Sequence, residues 1–145
     1  MASVSTYLNF DGTTEAAFNF YKDVFGTEFV GPIVRMGDGP AMEFQPDLSD
    51  QDKNLVMHVS LPILGGHVLM GTDAVESMGQ HLIQGNNSYI CLDPDSRADA
   101  DRLFAALAEG GNVEMPLADQ SWGDYFGSLK DKFGALWMVN CTAKA

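Results

Sequence analysis

The spacing of apolar positions changes along the chain in a fixed order. TYLNF (6–10) is a short apolar run closed by Asp11-Gly12, which predicts a strand. In TTEAAFNFYKDVFG, Ala17, Phe18, Tyr21, Val24 and Phe25 recur at helical spacing. They predict an amphipathic helix, capped by Thr13 or Thr14 and stopped by Gly26. TEFVGPIVRM follows as a strand interrupted at Gly31-Pro32. On the third strand Met57, Val59, Leu61 and Ile63 alternate as the face that packs on a helix, which turns His58 and Ser60 the other way.

The order then repeats. SYICLD (88–93) reads as a strand and DSRADADRLFAALAEGG as a helix. Ser96 with Asp99 resembles a capping box, Ala100, Leu103, Phe104 and Leu107 share a face, and Gly110-Gly111 end the helix. NVEMPL is the next strand. Tyr7 aligns with Tyr89, and Gly26 with Gly110. GGHVLMGTD (65–73) aligns with FGALWMVNC (133–141), which matches Gly66 to Gly134 and Met70 to Met138. Each half is strand, helix and three strands, within one domain over 1–145: a first module over about 1–75 and a second over about 86–145.

The halves differ between their second and third strands. DGPAMEFQPDLSDQDKN (38–54) is long and acidic, either a flap that folds Met42 and Phe44 over a pocket or a solvated loop. SWGDYFGSLKDKFGALWMVN (121–140) reads as the last two strands, joined at KDKFG. Trp122, Asp124 and Phe126 share one face there, with Tyr125 and Leu129 on the other, and Gly123 and Gly127 leave the register open to a bulge. Met138 shares a face with Leu136 and Asn140, which sends Trp137 and Val139 toward the second helix.

Composition narrows the function classes. Twenty acidic against eight basic residues give a net charge of −12, which disfavours nucleic acid and anionic membranes as partners because both need clustered cations. No apolar run reaches the roughly 18 residues of a spanning helix. MASVSTYLNF lacks a basic n-region, so a cytoplasmic protein without a signal peptide is expected. Cys91 and Cys141 lie in strand-like runs, where buried reduced thiols are expected. No G-x-S-x-G, C-x-x-C, P-loop or H-E-x-x-H occurs.

The tandem βαβββ pattern resembles the vicinal oxygen chelate superfamily of glyoxalase I, extradiol dioxygenases, fosfomycin-resistance enzymes and bleomycin-binding proteins. YLNFDGTTEAAFNFYKDVFG, MHVSLPILGGHVLMGTD and VEMPLADQSWGDYFGSLKDKFGALWMVN carry the resemblance, which is closest to the PhnB-like subgroup. It implies an α+β fold whose two modules form a curved mixed sheet around a cup, and a homodimer. Members of the subgroup often carry a methyltransferase label. A Rossmann-type methyltransferase needs a glycine-rich turn after its first strand, whereas this first strand runs into FDGTTEAAF, so that reading is rejected.

The resemblance also implies metal ligands, typically His, Glu or Gln, on the first and fourth strands of each module. Those positions correspond here to Thr6 and Ser88, and to Met70 and Met138; a one-residue slip offers Ser5 and Asn87. Hydroxyls and thioethers suit a hard or borderline divalent ion poorly, so no metal or other cofactor is expected. His58 faces the cup as a general base or hydrogen-bond donor, or as a histidine satisfied by a neighbour. Asp124 would make an acid/base pair with His58 if the fold joined them. His67 faces away, and His81 lies in a polar connector.

Two function classes follow. One is metal-independent binding of a small, partly apolar molecule, in the manner of the bleomycin-binding relatives. Leu8, Ile90, Met70 and Met138 would form its walls, with His58, Thr6, Ser88 and Asn140 as polar handles and Trp122, Asp124 and Phe126 beside them. The other is a lyase- or isomerase-type enzyme that uses His58, or a metal captured at an unconventional site.

Overall fold

The computed structural model describes residues 1–38 and 48–142. They fall into two compact units, Met1–Ile83 and the residues from Gln84 onward. The first holds β1 (Thr6–Phe10), α1 (Thr14–Phe25), β2 (Val34–Arg35), α2 (Asp50–Lys53), β3 (Val56–Pro62) and β4 (Val68–Asp73). Its four-stranded sheet has the order β1-β4-β3-β2, with β1 parallel to β4 and the other pairs antiparallel. The second holds β5 (Ile90–Leu92), α3 (Arg97–Ala108), β6 (Asn112–Asp119), β7 (Tyr125–Lys130) and β8 (Leu136–Cys141). Its order, β5-β8-β7-β6, repeats the first with the same strand directions. The expected α+β architecture of two tandem modules is therefore present.

In each unit one helix covers one face of the sheet. Ala17, Phe18, Tyr21 and Val24 of α1 are buried with Val59, Leu61 and Leu69 of the sheet. Ala100, Leu103 and Leu107 of α3 are buried, as are Leu129, Trp137 and Val139. The helical period places the α1 and α3 side chains inward.

A matched pair of sheet positions shows how helix and sheet were fitted. In the first unit Val59 pairs with Gly71; in the second the equivalent pair is Gly127 with Val139. A Cβ on Gly71 would stand 2.4 Å from the ring of Phe18, and one on Gly127 2.9 Å from the ring of Phe104. Each module thus clears space for one helical phenylalanine with a glycine, on β4 in the first and on β7 in the second.

The start of α1 departs from the sequence expectation. Thr13 makes no side-chain cap. Instead Oδ1 of Asp73, buried at the end of β4, accepts from the Thr14 amide at 3.1 Å and the Thr14 hydroxyl at 2.6 Å. Its Oδ2 accepts from the Val56 amide at 2.8 Å, so one carboxylate ties α1, β3 and β4 together. The free amides of a helix N-terminus need an acceptor, and here it comes from a distant strand. Gly26 closes the helix as expected, left-handed at φ 65°. Ser96 accepts from the Asp99 amide at the start of α3, also as expected.

Other expectations change. The strand read in TEFVGPIVRM is confined to Val34–Arg35. The register opposite it shifts at β3, so Val56 is buried at the start of that strand while Met57 is only half-buried. Within 38–54, Asp50–Lys53 form a helical turn capped by Ser49; Met42 and Phe44 lie outside the described residues. The repeat is offset from the alignment of Tyr7 with Tyr89. Tyr7 pairs with Met70 across β1–β4, and Cys91 pairs with Met138 across β5–β8, so Cys91 is the counterpart of Tyr7. Cys91 is exposed, not buried, whereas Cys141 is buried.

Candidate functional site

Register and alternation decide which side chains share the sheet face turned away from α1. Leu69 and Gly71 of β4 face the helix, so their β1 partners Thr6 and Leu8 do too. The opposite face of the first unit carries Tyr7 and Asn9 from β1 and Met70 from β4. From β3 it carries Ser60, the partner of Met70, and His58, the partner of Val34 on β2. Val68 and Thr72 complete β4. The four strands contain two charged residues, Arg35 and Asp73, and both turn to the helix side. Arg35 forms a bidentate pair with Glu15 of α1, and Asp73 caps α1. The strands therefore place no Lys, Arg, Asp or Glu side chain on the open face.

On that face the Tyr7 hydroxyl lies 3.2 Å from His58 Nδ1, with the ring centroids 5.9 Å apart. The two residues stand on β1 and β3, with β4 between them. Strands two places apart are separated by roughly 9.6 Å, a gap that a tyrosine spans and a threonine at position 7 would not. Partial burial raises the Tyr7 phenol above its ordinary value, so it keeps its proton at neutral pH. Tyr7 itself is 48% exposed. His67 is engaged on the other side, with Nε2 2.8 Å from the Thr6 hydroxyl. His81 is exposed beside Glu76, at a cavity of about 100 Å³ also lined by Asp11 and Gln80.

The second unit has its own open face. Met115, Ser128, Met138 and Cys91 form a row across its four strands, Phe126 and Asn140 pair in the adjoining row, and Asp93 follows the end of β5. Asn140 Nδ2 donates to Asp93 Oδ1 at 3.3 Å. Partial burial, and then the Asp93 carboxylate, push the Cys91 thiol up. Trp122 lies in the loop before β7, 61% exposed, with its ring edge-on to Phe126 at 6.0 Å. Asp124 is also in that loop, and its carbonyl accepts from the Gln120 amide.

The structure therefore places His58, Met70, Phe126, Met138 and Asn140 on open faces. Thr6, Leu8 and Ile90 belong to the helix sides, because they pair with Leu69, Gly71 and Trp137. Ser88 is exposed ahead of β5. Sequence reasoning missed Tyr7, although the parity of β1 relative to Phe10, which is buried, carried the signal.

The paired first- and fourth-strand positions are Tyr7 with Met70 and Cys91 with Met138. The thiol alone is a good ligand for a borderline ion such as zinc; a phenol and two thioethers beside it make a poor set for a hard or borderline divalent ion. Among the described residues no three His, Cys, Asp or Glu side chains cluster around a common point. No described helix is long and apolar enough to cross a membrane.

Comparison with known proteins agrees with this architecture. The chain is 30% identical to protein YjdN of Escherichia coli, over 94% of this chain and 93% of that one. Among solved structures it resembles protein PA1353 from Pseudomonas aeruginosa, at 35% identity and a TM-score of 0.82 over 97% and 98% of the two chains. A PhnB protein from Bacillus cereus, described as a putative 3-demethylubiquinone-9 3-methyltransferase, is 27% identical with a TM-score of 0.73 over 97% and 99%. A family model for the glyoxalase/bleomycin resistance protein/dioxygenase superfamily matches residues 4–139. With the repeated module and this match over nearly its whole length, the chain belongs to the glyoxalase/bleomycin resistance protein/dioxygenase superfamily.

Proposed function

We propose that this PhnB-like chain binds a small, partly apolar molecule on the open sheet faces of its modules, without a superfamily-type metal. The observation that carries the reading is the open face of the first unit. There Val34, Val68 and Met70 are half-buried beside Tyr7, His58 and Ser60, a mostly apolar surface with a few orienting polar groups. The donors at the paired strand positions support a metal-independent site. A cytoplasmic homodimer belongs to the same proposal. Methyl transfer does not, because β1 leads through Asp11-Gly12 into a helix capped by Asp73, with no glycine-rich turn for a cofactor.

The Tyr7–His58 contact favours a second reading, a lyase- or isomerase-type enzyme in which His58 moves a proton. Elemental analysis and thermal shift on untagged protein separate the two. The binding reading expects no stoichiometric metal, no several-degree stabilisation by Ni, Zn or Mn, and stabilisation by members of a small-molecule panel. A metal-dependent rise that disappears in His58→Ala would overturn it.

A further inference from the structure

We propose that the open face of the first unit recognises the oxygen of an uncharged carbonyl compound, with His58 Nε2–H as the donor and Tyr7 as the residue that positions it. This rests on the binding reading above and adds a ligand class and a role for Tyr7.

In a chain of net charge −12, the strands of this sheet keep their two charged residues, Arg35 and Asp73, on the helix side. An anion on the open face would lose hydration, find no Lys or Arg side chain of these strands facing it, and meet an acidic protein. A cation would find no carboxylate there. Desolvating an unpaired charge costs more than one ordinary hydrogen bond returns. A neutral ligand escapes both penalties, and Val68 and Met70 offer its body an apolar bed.

The polar geometry then selects the functional group. Tyr7 keeps its proton, and its hydroxyl is 3.2 Å from Nδ1 of His58. A protonated phenol can donate to Nδ1 or accept from it; in the proposed arrangement it donates, which leaves the ring proton on Nε2. The imidazole then presents one N–H donor to the open face, held by a partner two strands away. A carbonyl oxygen is the matching acceptor. Without Tyr7 no partner fixes which ring nitrogen carries the proton, and the donor would be present for only part of the time.

Nuclear magnetic resonance on the full chain tests this with benzamide, benzoate and benzamidinium, which share a ring and differ in charge. The ring nitrogens of His58 should report the Nε2–H form in the wild type and a mixture in Tyr7→Phe. Benzamide should shift amide signals of β1, β3 and β4, and more strongly than either charged analogue. Tyr7→Phe should weaken benzamide by about three- to tenfold, the effect of one ordinary hydrogen bond, and His58→Ala should abolish its binding. A ring proton on Nδ1, or identical tautomer and affinity in Tyr7→Phe, overturns the role of Tyr7. Benzoate or benzamidinium bound as tightly as benzamide overturns the ligand class while leaving small-molecule binding intact. If no probe shifts a signal of this face, the binding reading itself falls for the first unit.

Discussion

Asp131 offers the sharpest test of how the second module holds together. It is 3% exposed at the turn between β7 and β8. Its Oδ1 accepts from the amides of Phe133 at 2.9 Å and Ala135 at 3.0 Å. Its Oδ2 accepts from Nε1 of Trp137 at 2.9 Å, an indole that is completely buried. One carboxylate therefore shapes a turn and satisfies the buried indole N–H of the core. Asp131→Ala withdraws a charged acceptor from a buried donor, at a cost of about 1.5–3 kcal/mol, and from two half-buried amides that water can partly serve. A total near 3 kcal/mol is expected. With an unfolding entropy of roughly 2.1 cal/mol/K per residue, a chain of 145 residues should lose about 10 °C in melting temperature. Urea unfolding followed by tryptophan fluorescence measures the free energy. A double-mutant cycle with Trp137→Phe isolates the indole bond: Asp131→Ala should cost about 1–2 kcal/mol less when the indole N–H is already gone. A loss below 1 kcal/mol for Asp131→Ala, or a cycle that closes additively, would refute this account of the turn.

Three further outcomes follow from single contacts. Gly71→Ala places a methyl 2.4 Å from the Phe18 ring and 3.2 Å from Thr14, so α1 must lift; about 1–3 kcal/mol of stability should go in urea unfolding, and an unchanged midpoint would show that the helix packs elsewhere. The Arg35 guanidinium hydrogen-bonded to Glu15 holds that carboxyl below its ordinary range. Its contribution is present above the unfolded value and lost as the pH falls through the lowered folded one. Glu15→Gln should therefore cost less than about 1 kcal/mol at pH 7, since the pair is half-exposed, and nothing in strong acid; a difference that grows on acidification contradicts the pairing. Iodoacetamide should label Cys91 in the native protein, more slowly than a free thiol because its pKa is raised, and Cys141 only after unfolding. Mass spectrometry counts the adducts, and two in the native state would contradict the burial of Cys141.

What the sequence revealed and concealed has a physical cause at each point. Helix faces were legible because burial and period coincide: Ala17, Phe18 and Tyr21, or Leu103 and Leu107, need no distant partner to declare themselves. The caps at Ser96 and Gly26 were local and readable. Asp73 and Asp131 were not, because their partners are chosen by the fold: a polar residue at the end of an apolar strand looks like a solvated edge until β3, α1 or an indole closes over it. The open faces fell between these cases. Matching Tyr7 to Tyr89 used the resemblance of two side chains, although the better anchor was backbone geometry. Gly26 and Gly110 both adopt positive φ after their helices, and Cys91 precedes Gly110 by the same number of residues as Tyr7 precedes Gly26. Counting back from a residue that only glycine comfortably replaces ties the register to a steric requirement. A match between aromatics is tied to nothing, since either can sit anywhere on a sheet. That anchor aligns Tyr7 with Cys91 from the sequence alone, while their pairing with Met70 and Met138 is set by the fold. The conclusion that those positions suit a divalent metal poorly would have stood, but for a different donor set. It would also have turned attention from Thr6, which is occupied with His67, to Tyr7, whose hydroxyl reaches across β4 to His58.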